Sequence, residues 1–292
     1  MPAFPLDIRM THPSPVVFIT GASRGIGAAT ALHFARQGWQ VACTARTLHE
    51  GAQLQHQLRR PDGQLLSGSL ASTATAIEEA GGTVFAHGMD LMDLASIDAA
   101  ADAVLAHFGR VDVLINNAVY QDREVNHLLP ELRHEALARA LHGNVVAPFH
   151  LAQRVLPALL AQGGGRIVNV CSAAGQFNPP VPADQGGWGF AYGASKAAIA
   201  RLAGCINTEY RGRGICAFSV NPGVVGTEAV RATLGDDGVL AQRYGMATPE
   251  EIARALFWLA TAEEAPRLAR APAMIDLQPL LEQQAKTAAA PA

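Results

Sequence analysis

The feature that most constrains this chain is Thr20-Gly21-Ala22-Ser23-Arg24-Gly25-Ile26-Gly27, set between Val16-Val17-Phe18-Ile19-Thr20 and Ala28 to Gln37. The first flank is apolar and β-branched, as a strand buried on both faces must be. In the second, Ala28, Leu32 and Ala35 recur at helical spacing and Gly38 closes the run. Gly21, Gly25 and Gly27 permit a sharp turn, close backbone approach to a ligand and tight packing of helix on sheet. The free N–H groups and the dipole at the helix start favour an anion such as a pyrophosphate. A glycine triplet alone also fits a tight turn without a ligand. The strand before and the helix after favour the ligand.

The alternation continues. Strands are predicted at Val41–Ala45, Thr83–Met89, Val111–Ile115, Ile167–Val170 and Ile215–Val220, with a last one at Met274–Leu277. Helices are predicted at Ser69–Ala80, at the stretch ending in Gly109, at Glu131–His142, Val145–Gln162 and Tyr192–Arg211. Thr248-Pro249-Glu250-Glu251 is a capping box with proline at the first helical position, opening one more helix to about Ala260. The polar stretch His49 to Gly68, with its Pro61-Asp62-Gly63 turn, is predicted as a surface excursion. Regular strand–helix alternation implies an α/β fold: one doubly wound parallel sheet (a Rossmann fold) with helices on both faces. No repeat or linker splits the chain. Residues 15–280 are therefore expected to form a single domain, with an N-terminal extension at 1–14 and a C-terminal tail at 281–292.

Composition agrees with that architecture. With 49% hydrophobic and 16% charged residues over 292 positions, the chain can bury a large core. A formal charge of −3 gives no basic footprint for nucleic acid or an anionic membrane. No apolar run approaches a membrane-spanning length. Cys43, Cys171, Cys205 and Cys216 form no CxxC pair, and the ten histidines lack ligand spacing, so no metal site is expected. The expectation is a soluble cytoplasmic protein whose thiols are buried and reduced.

The second strand bears on the dinucleotide. An acidic residue about 20 residues past the glycines would bind the ribose hydroxyls. Ala45 and Arg46 stand there instead. Arg46 and Arg24 would attract a 2′-phosphate, which makes NADP(H) the expected cofactor, although two solvated surface arginines are a common alternative. Tyr192-Gly193-Ala194-Ser195-Lys196 puts Tyr192 and Lys196 on one helical face. A phenol, with an ordinary pKa of about 10, serves as an acid–base group near neutrality when a cation stabilises its phenolate. Ser172 lies 20 residues before the tyrosine, at the carboxyl end of a predicted strand where such sheets bind ligands.

These pieces, together with Asp90, Asn116-Asn117-Ala118, Asn144 and Asn221-Pro222-Gly223-Val224-Val225-Gly226-Thr227, resemble the short-chain dehydrogenase/reductase family from about Val16 to Leu277. The resemblance implies Asn144, Ser172, Tyr192 and Lys196 as a catalytic tetrad. It implies a cofactor site of Gly21, Ser23, Arg24, Gly25, Ile26, Gly27, Arg46, Asp90, Leu91, Asn117, Tyr192, Lys196, Val225 and Thr227. Asp90-Leu91 would lie near adenine, Asn117 near the ribose, and Val225 and Thr227 near the nicotinamide amide. It also implies a homodimer or homotetramer built on helices 145–162 and 192–211. Val119 departs from the usual glycine and is expected to crowd the cofactor loop.

The implied activity is interconversion of a carbonyl and an alcohol on a small-molecule substrate, with NADP(H) and tyrosine as general acid/base. A catalytically silent dinucleotide sensor or scaffold is the alternative, disfavoured by the intact Ser172, Tyr192 and Lys196. A nucleoside-cofactor transferase on a similar sheet is more remote. The loop 173–191 joins Ser172 to Tyr192 and carries Pro179, Pro180 and Pro182, then Gly186-Gly187-Trp188-Gly189. It is expected to lid a bulky apolar substrate, with Trp188 and Phe190 over the bound molecule. An ordinary packed tryptophan remains the plain alternative.

Overall fold

The run Val16–Thr20 forms strand β1, and all of it is buried. A computed structural model describes residues 14–60, 62–234, 238–270 and 274–282. The turn passes directly into helix α1 (Gly25–Arg36), which begins earlier than the apolar spacing suggests because the glycine turn supplies its first residues. The remaining strands are β2 (Gln40–Ala45), β3 (Thr83–Gly88), β4 (Val113–Asn116), β5 (Gly165–Val170), β6 (Ile215–Asn221) and β7 (Ile275–Asp276). All pairings are parallel, in the order β3-β2-β1-β4-β5-β6-β7. The order reverses between β1 and β4, which opens a crevice at their carboxyl ends.

Alternate residues of β1 feed two cores. Val17 and Ile19 pack with Phe34 of α1, Ile77 of α2 (Leu70–Glu79) and Leu256 of α9 (Pro249–Thr261). Phe18 packs on the other face with Ile97 of α3 (Leu94–Phe108), Leu151 of α5 (Ala147–Ala161) and Ile206 of α6 (Phe190–Tyr210). Helices therefore cover both faces, as the period-2 exchange of apolar side chains requires. Arg166 of β5 is 8% exposed and donates to the Leu259 and Ala262 carbonyls at 2.7 and 2.8 Å, capping the end of α9 with a buried cation. The capping box is formed, with Thr248 and Glu251 each accepting from the other's backbone.

Four differences from the sequence expectation matter. The helices predicted at 131–142 and 145–162 are one run: α4 (His134–Leu141), a π turn (His142–Val146) and α5. The wider turn places Asn144 inside the bundle. Helices α7 (Glu228–Leu234) and α8 (Val239–Tyr244) were not expected. Cys205 is exposed, while Cys43, Cys171 and Cys216 are buried. The excursion 49–68 does not simply hang in solvent. Leu66 is 8% exposed, and an isolated bridge joins Arg59 to Leu65. Most of the expected tail, like the start of the N-terminal extension, falls outside the described residues.

Candidate active site

A cleft of about 330 Å³ runs along the carboxyl edge of the sheet at the β1/β4 switch. Gly27 shows why the turn needs glycine. A Cβ there would lie 2.2 Å from the Gly21 carbonyl oxygen and 2.6 Å from Asn117 Nδ2. Asn117 Nδ2 donates to the carbonyls of Thr20 and Gly21 at 2.9 and 3.2 Å. The amides of Asn117 and Ala118 both donate to Thr20 Oγ1. Asn117 thus pins the end of β4 to the glycine turn. Val119 borders the cleft and is 39% exposed. The bonds of Asn117 and Ala118 to the glycine turn are formed beside it.

The residues present fit a dinucleotide. The first turn of α1 carries no acidic residue and no side-chain cap, leaving its dipole end for an anion. Gly21, Ser23, Arg24, Gly25 and Ile26 line the cleft there, whereas Gly27 lies behind it as a packing residue. Asp90 and Leu91 border the cleft, although Asp90 Oδ1 also accepts from Met92 N at 2.9 Å. On the far wall are Val225 and Thr227, whose Oγ1 accepts from Val230 N at 3.2 Å. Oε2 of Glu228, in the same wall, is buried with no donor among the described residues. Such an acceptor suits a ligand that brings amide or hydroxyl hydrogens.

At one end of the cleft, Arg24 and Arg46 are not the solvated pair that surface arginines would make. Arg24 donates through Nε to Ser67 O at 2.7 Å and through Nη2 to Gly68 O at 2.6 Å. Arg46 Nη1 donates to Gln55 O at 2.8 Å. The excursion crosses here, and its Gln57, Leu58 and Leu66 line the cleft.

At the other end the cleft is lined by Ser172, Tyr192 and Lys196. Ser172 follows β5, and its Oγ accepts from Ala174 N at 3.2 Å. Tyr192 and Lys196 share a face of α6, with Lys196 Nζ 5.8 Å from the tyrosine ring centre. Lys196 is 6% exposed, and its Nζ donates to the Val170 carbonyl at 3.1 Å. Asn144 stands behind these three residues and outside the cleft lining. Its Oδ1 accepts from Tyr120 N at 2.7 Å, and its Nδ2 donates to Tyr120 O and Ser195 Oγ, both at 3.2 Å. Ser195 Oγ in turn donates to Tyr192 O at 2.8 Å.

Tyr120 had no sequence signal. Burial, with a hydrogen bond donated to Asp122, pushes its phenol up to about 12 against the opposing pull of Arg139. It stays a neutral donor near neutrality. The expected lid is also different. Trp188 is absent from the cleft lining and faces the first turn of α6, where a Cβ on Gly193 would lie 3.6 Å from its Cδ1. Gly189 N donates to Asn126 Oδ1 at 2.9 Å, tying this arm down. Phe190 is 57% exposed. Ala229 and Val230 of α7 border the cleft instead. Among the described residues no group of three or more His, Cys, Asp or Glu is placed to hold a metal, and no helix is long and apolar enough to cross a membrane.

An open parallel sheet with a glycine turn opening a helix at one end of its cleft and Ser172, Tyr192 and Lys196 at the other is the arrangement of a dinucleotide-dependent oxidoreductase. The comparisons give the family. The short chain dehydrogenase model matches residues 15–70 and 64–237. The chain is 32% identical over 264 residues to the 3-oxoacyl-[acyl-carrier-protein] reductase FabG of Escherichia coli, covering 88% of this chain and 93% of that one. It is 33% identical to D-threitol dehydrogenase of Mycolicibacterium smegmatis over 84% of this chain and 85% of the relative. Among solved structures, a metagenomic short-chain oxidoreductase in complex with NADP matches with a TM-score of 0.63 at 31% identity, covering 84% of this chain and 90% of that one. Carveol dehydrogenase from Mycobacterium avium in complex with NAD shares the fold, with a TM-score of 0.74, 21% identity, and coverage of 91% and 98%. The chain belongs to the short-chain dehydrogenase/reductase family. It is an oxidoreductase acting on a carbonyl or alcohol with a nicotinamide dinucleotide.

Proposed function

We propose that the protein is an NADP(H)-dependent oxidoreductase interconverting a ketone and a secondary alcohol on an apolar small molecule. The observation that carries this reading is the single cleft with Arg24 and Arg46 at one end and Ser172, Tyr192 and Lys196 at the other. The bound nicotinamide would supply hydride exchange. Tyr192 gives its phenolic proton to the forming alkoxide, or takes it from the alcohol. Lys196 favours the phenolate electrostatically and holds a ribose hydroxyl, with its ammonium aimed by the Val170 carbonyl. Ser172 Oγ donates to the reacting oxygen. Asn144 acts from behind, fixing α6 through Ser195 and the Tyr120 loop through its amide.

Arg24, Arg46 and the lack of a carboxylate at position 45 support a 2′-phosphate. Arg24 uses two and Arg46 one of five guanidinium donors on the loop carbonyls, so donors remain for an anion. The named relatives act on 3-oxoacyl and threitol compounds, which supports the carbonyl–alcohol class more than a particular substrate. The apolar groups Val119 and Val230 in the wall support an apolar substrate. Val146, at the end of the π turn, and Phe149, in the first turn of α5, are 40% and 44% exposed and support self-association through that helix. The test is a panel of ketones and secondary alcohols followed by dinucleotide absorbance with NADPH and NADH in parallel. Turnover that is faster with NADPH on an apolar ketone is expected. Absence of turnover across the panel, with dinucleotide binding intact, would leave the silent sensor.

A further inference from the structure

The excursion His49 to Gly68 is built against the cofactor cleft from both sides. Its outgoing end is held at the glycine turn: Gly68 N donates to both oxygens of Glu50, at 2.9 and 3.2 Å, and Gly68 O receives Arg24 Nη2 at 2.6 Å. The approach is close. Gly68 has φ +101°, and a Cβ there would lie 2.5 Å from the Ser23 carbonyl oxygen and 2.7 Å from Arg24 Cβ. Between its ends, Gln55 O receives Arg46, and Leu66 closes over the cleft.

We infer that this strap is a specificity device: its backbone carbonyls pre-orient Arg24 and Arg46 for the 2′-phosphate of NADP(H). The inference rests on the cofactor reading above and deepens it. Two carbonyls on the Nε and Nη2 edge of Arg24 fix the plane of the guanidinium and leave its Nη1 edge uncommitted to them. A free arginine loses much side-chain freedom when it clamps an anion, and ordering it beforehand removes that loss from binding. The strap also keeps two like charges together. Burial holds Arg24 below its ordinary pKa; Glu228 and Glu50 pull it up, and neighbouring Arg46 pushes it further down. A half-buried guanidinium with a second arginine beside it suits a ligand dianion, whereas a ribose hydroxyl gains little from the pair. Cofactor choice in this chain is thus set partly by residues that need not touch the phosphate, with Gly68 and Leu66 as positioning residues.

The experiment is calorimetric titration of the full chain with NADPH and NADH, and with adenosine 2′,5′-bisphosphate and AMP. Wild type is compared with Gly68→Ala and Leu66→Ala. Gly68→Ala forces the strap off Ser23 and Arg24, and Leu66→Ala removes its buried anchor. Each is expected to lower the ratio of NADPH to NADH affinity, and of bisphosphate to AMP affinity, about fivefold, over and above any loss common to all four ligands from the altered cleft wall. A merely structural role would weaken each phosphorylated ligand and its counterpart alike. If Gly68→Ala does not fold, Leu66→Ala alone decides. A wild-type preference for the 2′-phosphorylated ligands that survives in the folded variants overturns the strap inference alone. Equal wild-type affinity for NADPH and NADH overturns the NADP(H) reading and the strap inference with it.

Discussion

Lys196 Nζ donates to the carbonyl oxygen of Val170 at 3.1 Å, so the cation beside Tyr192 is tied to the strand end that presents Ser172. This bond ties helix α6 to strand β5 at the end of the cleft lined by Ser172 and Tyr192. From behind, Asn144 reaches Ser195, and Ser195 reaches the Tyr192 carbonyl. The tyrosine backbone is thereby fixed while its ring faces the cleft. Such support from buried neighbours is what keeps a proton-transfer group in place.

Tyr192→Phe keeps the ring and removes the hydroxyl. Turnover is expected to fall on the order of 100-fold or more with NADPH affinity nearly unchanged. Steady-state kinetics beside a binding titration checks it. Near-normal turnover would remove Tyr192 from the chemistry.

Asn144→Ala strips the partner from Tyr120 N, a bond of 2.7 Å in a site that is 4% exposed at Asn144. Leaving a buried donor unpaired costs about 1–3 kcal/mol. The denaturation midpoint should fall accordingly, and turnover should fall with it as α6 loses its tie through Ser195. Full stability in the variant would show that the π turn holds Tyr120 by other means.

Arg46→Asp places a carboxylate where a 2′-phosphate is proposed to lie. NADPH binding is expected to weaken by about 1.5–3 kcal/mol, the usual range for a charged hydrogen bond, while NADH gains a partner for its ribose hydroxyls. Competitive titration with the two dinucleotides reads the outcome. An unchanged ratio would exclude Arg46 from cofactor choice.

Local pattern made much of this legible. Val16 to Gly27 encode a strand, a turn and a helix within a few residues, and the Tyr192–Lys196 spacing places both on one face. Contacts between distant residues carried no such signal. Arg24 meets Ser67 and Gly68, more than 40 residues away, and nothing in the spacing of a polar stretch reveals that its carbonyls serve two arginines. The π turn hides because five residues, His142 to Val146, look like a break between two ordinary helices. Helices α7 and α8 are too short to show a sustained apolar period.

The acid limb of stability should depend on Glu251. Its carboxylate accepts from Thr248 N and Oγ1 at 2.8 and 3.1 Å. The backbone bond from Thr248, then the side-chain bond, hold its pKa below the ordinary value against burial, with help from Arg254. A depressed folded pKa means that the unfolded chain binds the proton more tightly. The stabilisation is therefore fully present above the ordinary glutamate pKa of about 4.3 and is lost as pH falls through the lower folded value. Glu251→Gln should be less stable than wild type at neutral pH. The gap should close as pH falls below the ordinary glutamate range, read from denaturant midpoints. A gap independent of pH would mean that charge plays no part in the cap.

Trp188 separates two accounts of the loop before the tyrosine. A lid would lay the indole over the substrate, and its removal would raise KM for large apolar substrates more than for small ones. The observed indole instead rests on the first turn of α6 beside Gly193, outside the cleft lining, and Gly189 is bonded to Asn126. Trp188→Ala therefore removes packing against Gly193, the neighbour of Tyr192 in α6, and leaves Val119, Val225 and Val230 in the cleft wall. The expected result is a fall in kcat of similar size for small and bulky ketones, with their KM ratio kept and NADPH affinity unchanged. Truncating a half-buried aromatic should also lower the denaturation midpoint, by roughly 1–3 kcal/mol. A selective rise in KM for the bulky substrate, with kcat preserved, would restore the lid and show that the loop closes over the bound molecule.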